Sequence, residues 1–92
     1  MTKEELQILL FGLHHSTFRN EKQIQNSKEC GCFHCNSIFT PEEVTKWCDD
    51  DGRGDRTAIC PRCGIDSVLG DGCGLPITPD LLKLMNDQFF GT

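Results

Sequence analysis

Two short cysteine pairs constrain this chain more than anything else in it: Cys32-Phe33-His34-Cys35 and Cys60-Pro61-Arg62-Cys63, the second followed directly by Gly64. A C-x-x-C unit is a tight turn whose backbone amides point at its sulfurs. Two such turns face to face supply four thiolates to one metal ion, in a tetrahedron with arms of about 2.3 Å. Gly64 suits the place where the second turn must reverse with positive φ. The 24 residues between Cys35 and Cys60 exceed the roughly 15–20 of the tandem pattern. A short helix over 41–48 and an acidic loop account for the excess. The pattern predicts one Zn²⁺ on Cys32, Cys35, Cys60 and Cys63. Four ligands close the coordination sphere, so the site is expected to be structural and not hydrolytic.

Chains of this size and composition commonly need a staple. At 92 residues with 37% apolar content and seven Cys, the chain has one domain's worth of sequence and a small core to hold it. Disulfides or a metal are the usual remedies, and the compartment decides between them. Met1-Thr2-Lys3-Glu4-Glu5 is acidic where a secretory leader would be basic, and Ile8-Leu9-Leu10-Phe11-Gly12-Leu13 runs into His14-His15 with no small-residue cleavage site. No run approaches the ~18 apolar residues of a membrane span. These features predict a cytoplasmic protein with reduced thiols, which favours metal.

The formal net charge is −5, and four thiolates around one zinc ion bring it to about −7. Such a surface repels phosphate backbones, which disfavours nucleic-acid binding in general. Lys46, Arg53, Arg56 and Arg62 lie between or on the knuckles and could form a local basic patch.

Three helices are expected around the knuckles. Thr2 and Glu5 form a capping box before a stripe of Leu6, Leu9, Leu10 and Leu13 at i, i+3, i+4 and i+7. That stripe is expected to pack on the domain, with pairing of two chains as its other use. Ser16–Glu29 is polar, with Phe18 and Ile24 isolated, and reads as a loop or ragged helix, or as a linker holding the first helix off the metal core. Thr40-Pro41-Glu42-Glu43 is a second helix start, with Val44 and Trp47 on its inward face. Thr78-Pro79-Asp80 starts the third, with Leu82, Met85 and Phe89 inward and Gly91 as its stop. Asp49–Asp55 must be a solvated loop, and its Arg53-Gly54-Asp55 tripeptide is coincidental in a cytosolic chain. The expected division is an N-terminal helix and connector over 1–29 and a metal-bound unit over 30–92. The fold class is a small α+β metal-stapled domain: a zinc-ribbon or zinc-knuckle core with flanking helices.

Several other residues invite a role. Cys30 is a substitute ligand for Cys32; Cys48 reads as a small buried hydrophobe at a helix end; Cys73 reads as exposed. His34 is expected to point outward from the first knuckle, and His14-His15 to sit at a helix end that favours their charge. Asp66 is expected to accept backbone amides at the turn leaving the second knuckle, with Asp66-Ser67 as a ligand or partner contact the alternative. No nucleophile–base pair is suggested, so no catalytic residue is assigned and an enzyme is not expected.

Gly31-Cys32-Phe33-x-Cys35, Ile38-Phe39 and Cys60-Pro61-x-Cys63-Gly64-Ile65-Asp66-Ser67-Val68-Leu69-Gly70 together resemble a family of small, uncharacterised bacterial cytoplasmic proteins. The likeness continues through Pro76-Ile77-Thr78 and Leu82, Met85 and Phe89, covering roughly residues 30–90. It implies a zinc-ribbon-like cytosolic protein and carries no activity across. Residues 1–29 and the Asp49–Asp55 loop lie outside the strong match. The function expected is a zinc-binding structural or adaptor module that acts through a protein partner. A nucleic-acid-binding zinc ribbon is the first alternative. The second is an acidic immunity or anti-defence protein that blocks a basic toxin or nuclease of a bacterial or phage system.

Overall fold

The computed structural model describes residues 1–91, so Thr92, the end of the expected 30–92 unit, lies outside the described residues. Three α-helices surround two small antiparallel sheets: α1 (Lys3–His15), α2 (Glu21–Gln25), β1 (Cys30–Cys32), β2 (Ile38–Phe39), β3 (Trp47–Cys48), β4 (Thr57–Ala58), β5 (Val68–Gly70) and α3 (Pro79–Phe89). One sheet has the order β2-β1-β5; the other is the β3-β4 hairpin.

The central strand β1 explains how the molecule is divided. Side chains of a strand alternate between faces. Cys30 and Cys32, with Val68 of β5, join Ile24, Phe39, Val44, Ala58 and Cys60 in one apolar cluster. Across the sheet, Leu69 joins Leu10, Leu13, Phe33, Ile77, Leu82 and Met85 in another. Gly31 lies between Cys30 and Cys32 and pairs with Ile38 and Leu69. A methyl group there would come within 2.7 Å of the Ile77 side chain and 2.9 Å of Leu82. Glycine is therefore what lets α3 settle directly on the strand.

Helix boundaries follow their capping residues. The Thr2 hydroxyl accepts the Glu5 N–H at 3.1 Å and the Thr78 hydroxyl accepts that of Leu81 at 3.1 Å. In α1, Leu10 and Leu13 are buried, with Leu6 and Leu9 against the same cluster, so the leucine stripe faces inward. At the far end of α3, Gly91 donates back to the Asn86 carbonyl at 2.7 Å.

The helix expected over 41–48 does not form. Its capping pair is present, with the Glu43 carboxylate accepting the Thr40 N–H at 2.9 Å, but only a 3-10 turn over Pro41–Glu43 follows. Val44 is already extended, and Trp47 and Cys48 pair with Ala58 and Thr57 as β3-β4. So short a helix depends on packing for its stability, and β-branched Val44 and Thr45 with Trp47 suit the extended chain that pairs with Thr57 and Ala58.

Residues 16–29 fold across both sheets, with Ile24 1% exposed in the core. Asn20 is the key contact: its side-chain N–H₂ donates to the Val68 carbonyl at 2.8 Å and its carbonyl accepts the Ala58 N–H at 3.0 Å. One amide thus ties β5 to β4. Beside it, Arg56 grips the Glu21 carboxylate through Nε at 3.0 Å and a terminal nitrogen at 2.8 Å. Gln23, Ser27 and the backbone of Lys28 and Glu29 bond to Gly70, Gly72 and the Asp71 carboxylate. The loop over 49–56 is likewise tethered, by Arg19 to Asp51 at 2.6 Å.

Two outcomes are expected. Gly31→Ala overpacks the contact with α3 and should lower stability by roughly 1–3 kcal/mol in chemical denaturation. The side-chain and backbone hydrogen bonds from Arg56 hold the Glu21 carboxyl down at about 2. A carboxyl lowered on folding stabilises above its unfolded value, about 4.3, and the gain is lost as pH falls toward the folded value. The melting-temperature gap between wild type and Glu21→Gln should therefore be widest above pH 5 and shrink steadily toward pH 2–3.

Candidate metal centre

Each cysteine pair sits on a turn built the same way. In the first, Cys32 N–H donates to the Ser37 carbonyl at 3.0 Å, Asn36 N–H returns to the Cys32 carbonyl at 2.7 Å, and His34 N–H points at the Cys32 sulfur at 3.4 Å. In the second, Cys60 N–H donates to Ile65 at 2.8 Å, Gly64 N–H returns to Cys60 at 3.0 Å, and Arg62 N–H points at the Cys60 sulfur at 3.3 Å. The spacings match step for step. Both turns reverse through a left-handed residue one place after the last cysteine, Asn36 at φ 60° and Gly64 at φ 79°. Gly64 was legible in the sequence; Asn36 was not, although asparagine is among the few other residues that enter this region readily.

Strand register brings the turns together. The first knuckle is the tip of the β1-β2 hairpin, while the second links β4 to β5, which pairs with β1. The sulfurs of Cys32, Cys35, Cys60 and Cys63 consequently all lie within 4.8 Å of one another. Cys32 to Cys63 and Cys35 to Cys60 are each 3.7 Å. A tetrahedron with metal–sulfur arms of about 2.3 Å has edges near 3.8 Å, so the cage has the dimensions of one thiolate-bound ion. All seven cysteines are free thiols.

The thiols differ in acidity. Burial pushes Cys32 up, against the N–H groups of Cys35 and His34 that favour its thiolate, and burial also raises Cys63. Cys35 goes the other way, to about 7: burial opposes ionisation there, but the hydroxyl and N–H of Ser37 and the thiols of Cys60 and Cys63 outweigh it. Four thiolates this close repel one another strongly, and a bound cation removes that repulsion. The donor set, all sulfur and four in number, fits a soft or borderline metal in a closed sphere. Such an ion would clamp the two turns and leave no position for a substrate.

The remaining cysteines lie outside the cage. Cys30 points into the core with no exposure, and burial pushes its thiol up to about 12. Cys48 is not the buried helix-end residue expected but a half-buried one in β3, with its sulfur 3.8 Å from the Asp49 carboxylate. Cys73 is not exposed: it is half-buried against the apolar cluster beneath α1 and α3. His34 is exposed, edge-on to Phe90 at 4.8 Å between ring centres. His14 stacks on Phe89 at 4.2 Å. Asp66 does not accept the backbone amides expected at its turn; its carboxylate has no hydrogen-bond or ion-pair partner among the described residues. The turn is closed instead by the Ile65 carbonyl, which takes the Cys60 N–H. Among the described residues no helix is long and apolar enough to cross a membrane.

Comparison with protein-family models, curated proteins and solved structures finds no match for this chain.

Cage residues and core cysteine should separate in mutagenesis. Cys35→Ser is expected to lower bound metal well below one ion per chain, because serine is a poor ligand for a soft site. Cys30→Ala should keep full metal content and cost only about 1 kcal/mol for the small void it leaves. Elemental analysis of both variants beside their denaturation curves checks this.

Proposed function

We propose that this chain is a zinc-ribbon module with one structural zinc ion, and that it works as an adaptor by binding a protein partner. The observation that carries the reading is the matched pair of knuckles: two turns with one hydrogen-bond scheme, presenting four sulfurs at tetrahedral spacing. Zinc is favoured among thiolate-binding metals because a four-sulfur tetrahedron is its usual structural sphere. Since that sphere is closed, the ion shapes a surface and supplies no reaction, and the work of the molecule falls to its exterior. A small bacterial zinc-ribbon-like protein with reduced thiols in the cytoplasm is the form of this reading that the knuckle segments suggest.

That exterior suits a protein partner better than nucleic acid. Ile8, Phe11, Phe18 and Phe90 are exposed apolar side chains, and large exposed apolar groups are typical anchors of protein interfaces. Of the four cations that might form a basic patch, three are paired: Arg53 with Asp51, Arg56 with Glu21 and Asp50, and Arg62 with Glu43. Paired arginines in a chain of net charge −5 are poorly placed to grip phosphate. An acidic inhibitor of a basic toxin or nuclease is a special case of the same adaptor reading.

Two measurements test it. Native mass spectrometry of the purified protein should show one zinc per chain. Cross-linking in cells should then trap a discrete protein partner that is lost when a cage cysteine is replaced. A metal-loaded protein that cross-links to nothing, or that binds DNA or RNA in about 50 mM salt, overturns the adaptor reading.

A further inference from the structure

A cleft of about 460 Å³ opens beside the knuckles, away from the metal cage. Five parts of the chain meet there: the end of α1 with His14, His15 and Phe18, Phe33 of the first knuckle, Thr57 of β4, Asp66 and Ser67 after the second knuckle, and Phe90 after α3. Phe18 and Phe90 are 58% and 43% exposed. Besides the two imidazoles, Asp66 and Ser67 offer unspent polar groups in this cleft. The Asp66 carboxylate is exposed and unpaired, as described above. Ser67 is 4% exposed; no buried side-chain oxygen among the described residues lacks a hydrogen-bond partner, so its hydroxyl, which bonds to none of them, keeps that small exposure, while its carbonyl is taken by the Phe33 N–H at 3.1 Å. By contrast the Thr57 hydroxyl is fully occupied, accepting from the Arg19 N–H at 2.8 Å and donating to Asp49 at 2.6 Å.

The free groups define what fits. A carboxylate and a hydroxyl can accept hydrogen bonds, each imidazole offers an acceptor nitrogen when neutral, and no lysine, arginine, asparagine or glutamine lines the cleft. The Asp49 carboxylate lies directly behind Thr57 and adds to the negative field. Apart from the two histidines, the lining therefore offers an anion no cationic side chain. A flat group that only donates and carries positive charge would satisfy the acceptors and lie against the phenyl rings. The guanidinium of arginine has those properties: five N–H donors in a plane, a permanent charge and an affinity for aromatic faces. The fold already uses such contacts, with Arg19 over the Phe18 ring at 5.4 Å and Arg56 over Trp47 at 5.2 Å.

We propose that this cleft receives an arginine side chain of the protein partner, with Asp66 and Ser67 accepting its N–H groups and Phe18 and Phe90 flanking it. The proposal rests on the adaptor reading above and names its partner chemistry, a basic segment with an exposed arginine. Charge complementarity favours that occupant over a second copy of this acidic chain. A guanine base, which also presents adjacent N–H donors, is the competing occupant.

The test uses the metal-loaded full chain, ¹⁵N-labelled, titrated with a capped Gly-Arg-Gly peptide. Capped Gly-citrulline-Gly, of the same shape without the charge, and guanosine serve as controls. The arginine peptide should shift the amide signals of Phe18, Ser67 and Phe90 in a saturable way. Citrulline should bind roughly tenfold or more weakly, since the charge-assisted bonds are lost. Asp66→Asn should weaken the arginine peptide by a similar factor at unchanged zinc content, and Phe18→Ala should weaken it independently. No saturable shift, equal binding of citrulline, or indifference to Asp66→Asn overturns the proposal, as does tighter binding of guanosine. A trapped protein partner whose capture is unaffected by Asp66→Asn would likewise overturn it while leaving the adaptor reading intact. Peptide binding in a chain that traps no partner would do the reverse.

Discussion

Four sulfur atoms within 4.8 Å of one another are the constraint on which the rest of this structure depends. Without a cation they cannot all ionise together, because repulsion among several thiolates at that range is severe in a half-buried setting. With one, they become a single rigid node joining two chain reversals. The regular structure around them is slight. Among the described residues no strand exceeds three residues, and such short strands give each sheet few hydrogen bonds to resist fraying. An ion held there would take the place of strand length.

Both faces of the molecule are organised from that node. β1 carries Cys32 into the cysteine cage and Gly31 toward α3, so one strand serves the cage and the helical layer in alternate residues. Phe33 follows within the first knuckle yet lies in the cluster beneath α1 and α3. A distortion of the cage is therefore transmitted to the helices through adjacent residues, not through a long path. On the other flank, Asn20 ties Val68 to Ala58, holding β5 and β4, the strands on either side of the second knuckle, at a fixed separation. The fixed separation gives the cleft beside Asp66 and Ser67 walls from several parts of the chain.

What the sequence disclosed and what it hid divide along the range of the interactions. The ligand set could be read because spacing alone makes Cys32/Cys35 and Cys60/Cys63 local units. The helices α1 and α3 could be read because Thr2 and Thr78 cap leucine-bearing stripes long enough to be periodic. The segment after Thr40 carried an equally good local start, and was misread because its fate depends on a strand partner, Thr57–Ala58, nine residues beyond Cys48. Asn20 looked like one more polar residue in a connector; only the fold reveals two backbone groups, 38 and 48 residues away, that need its amide. Asp66 was assigned a local duty that the Ile65 carbonyl performs instead, which is why its carboxylate remains free.

The most direct test of the account is thermal unfolding of the intact chain before and after removal of metal by a strong chelator under reducing conditions, followed by near-UV circular dichroism and Trp47 fluorescence. A structural zinc site contributes about 10–16 kcal/mol of apparent binding energy, comparable to the whole stability of a small domain. The metal-free chain should therefore lose its cooperative transition and recover it when one equivalent of zinc is restored. A chain that melts as sharply, at the same temperature, with no metal bound would contradict the account.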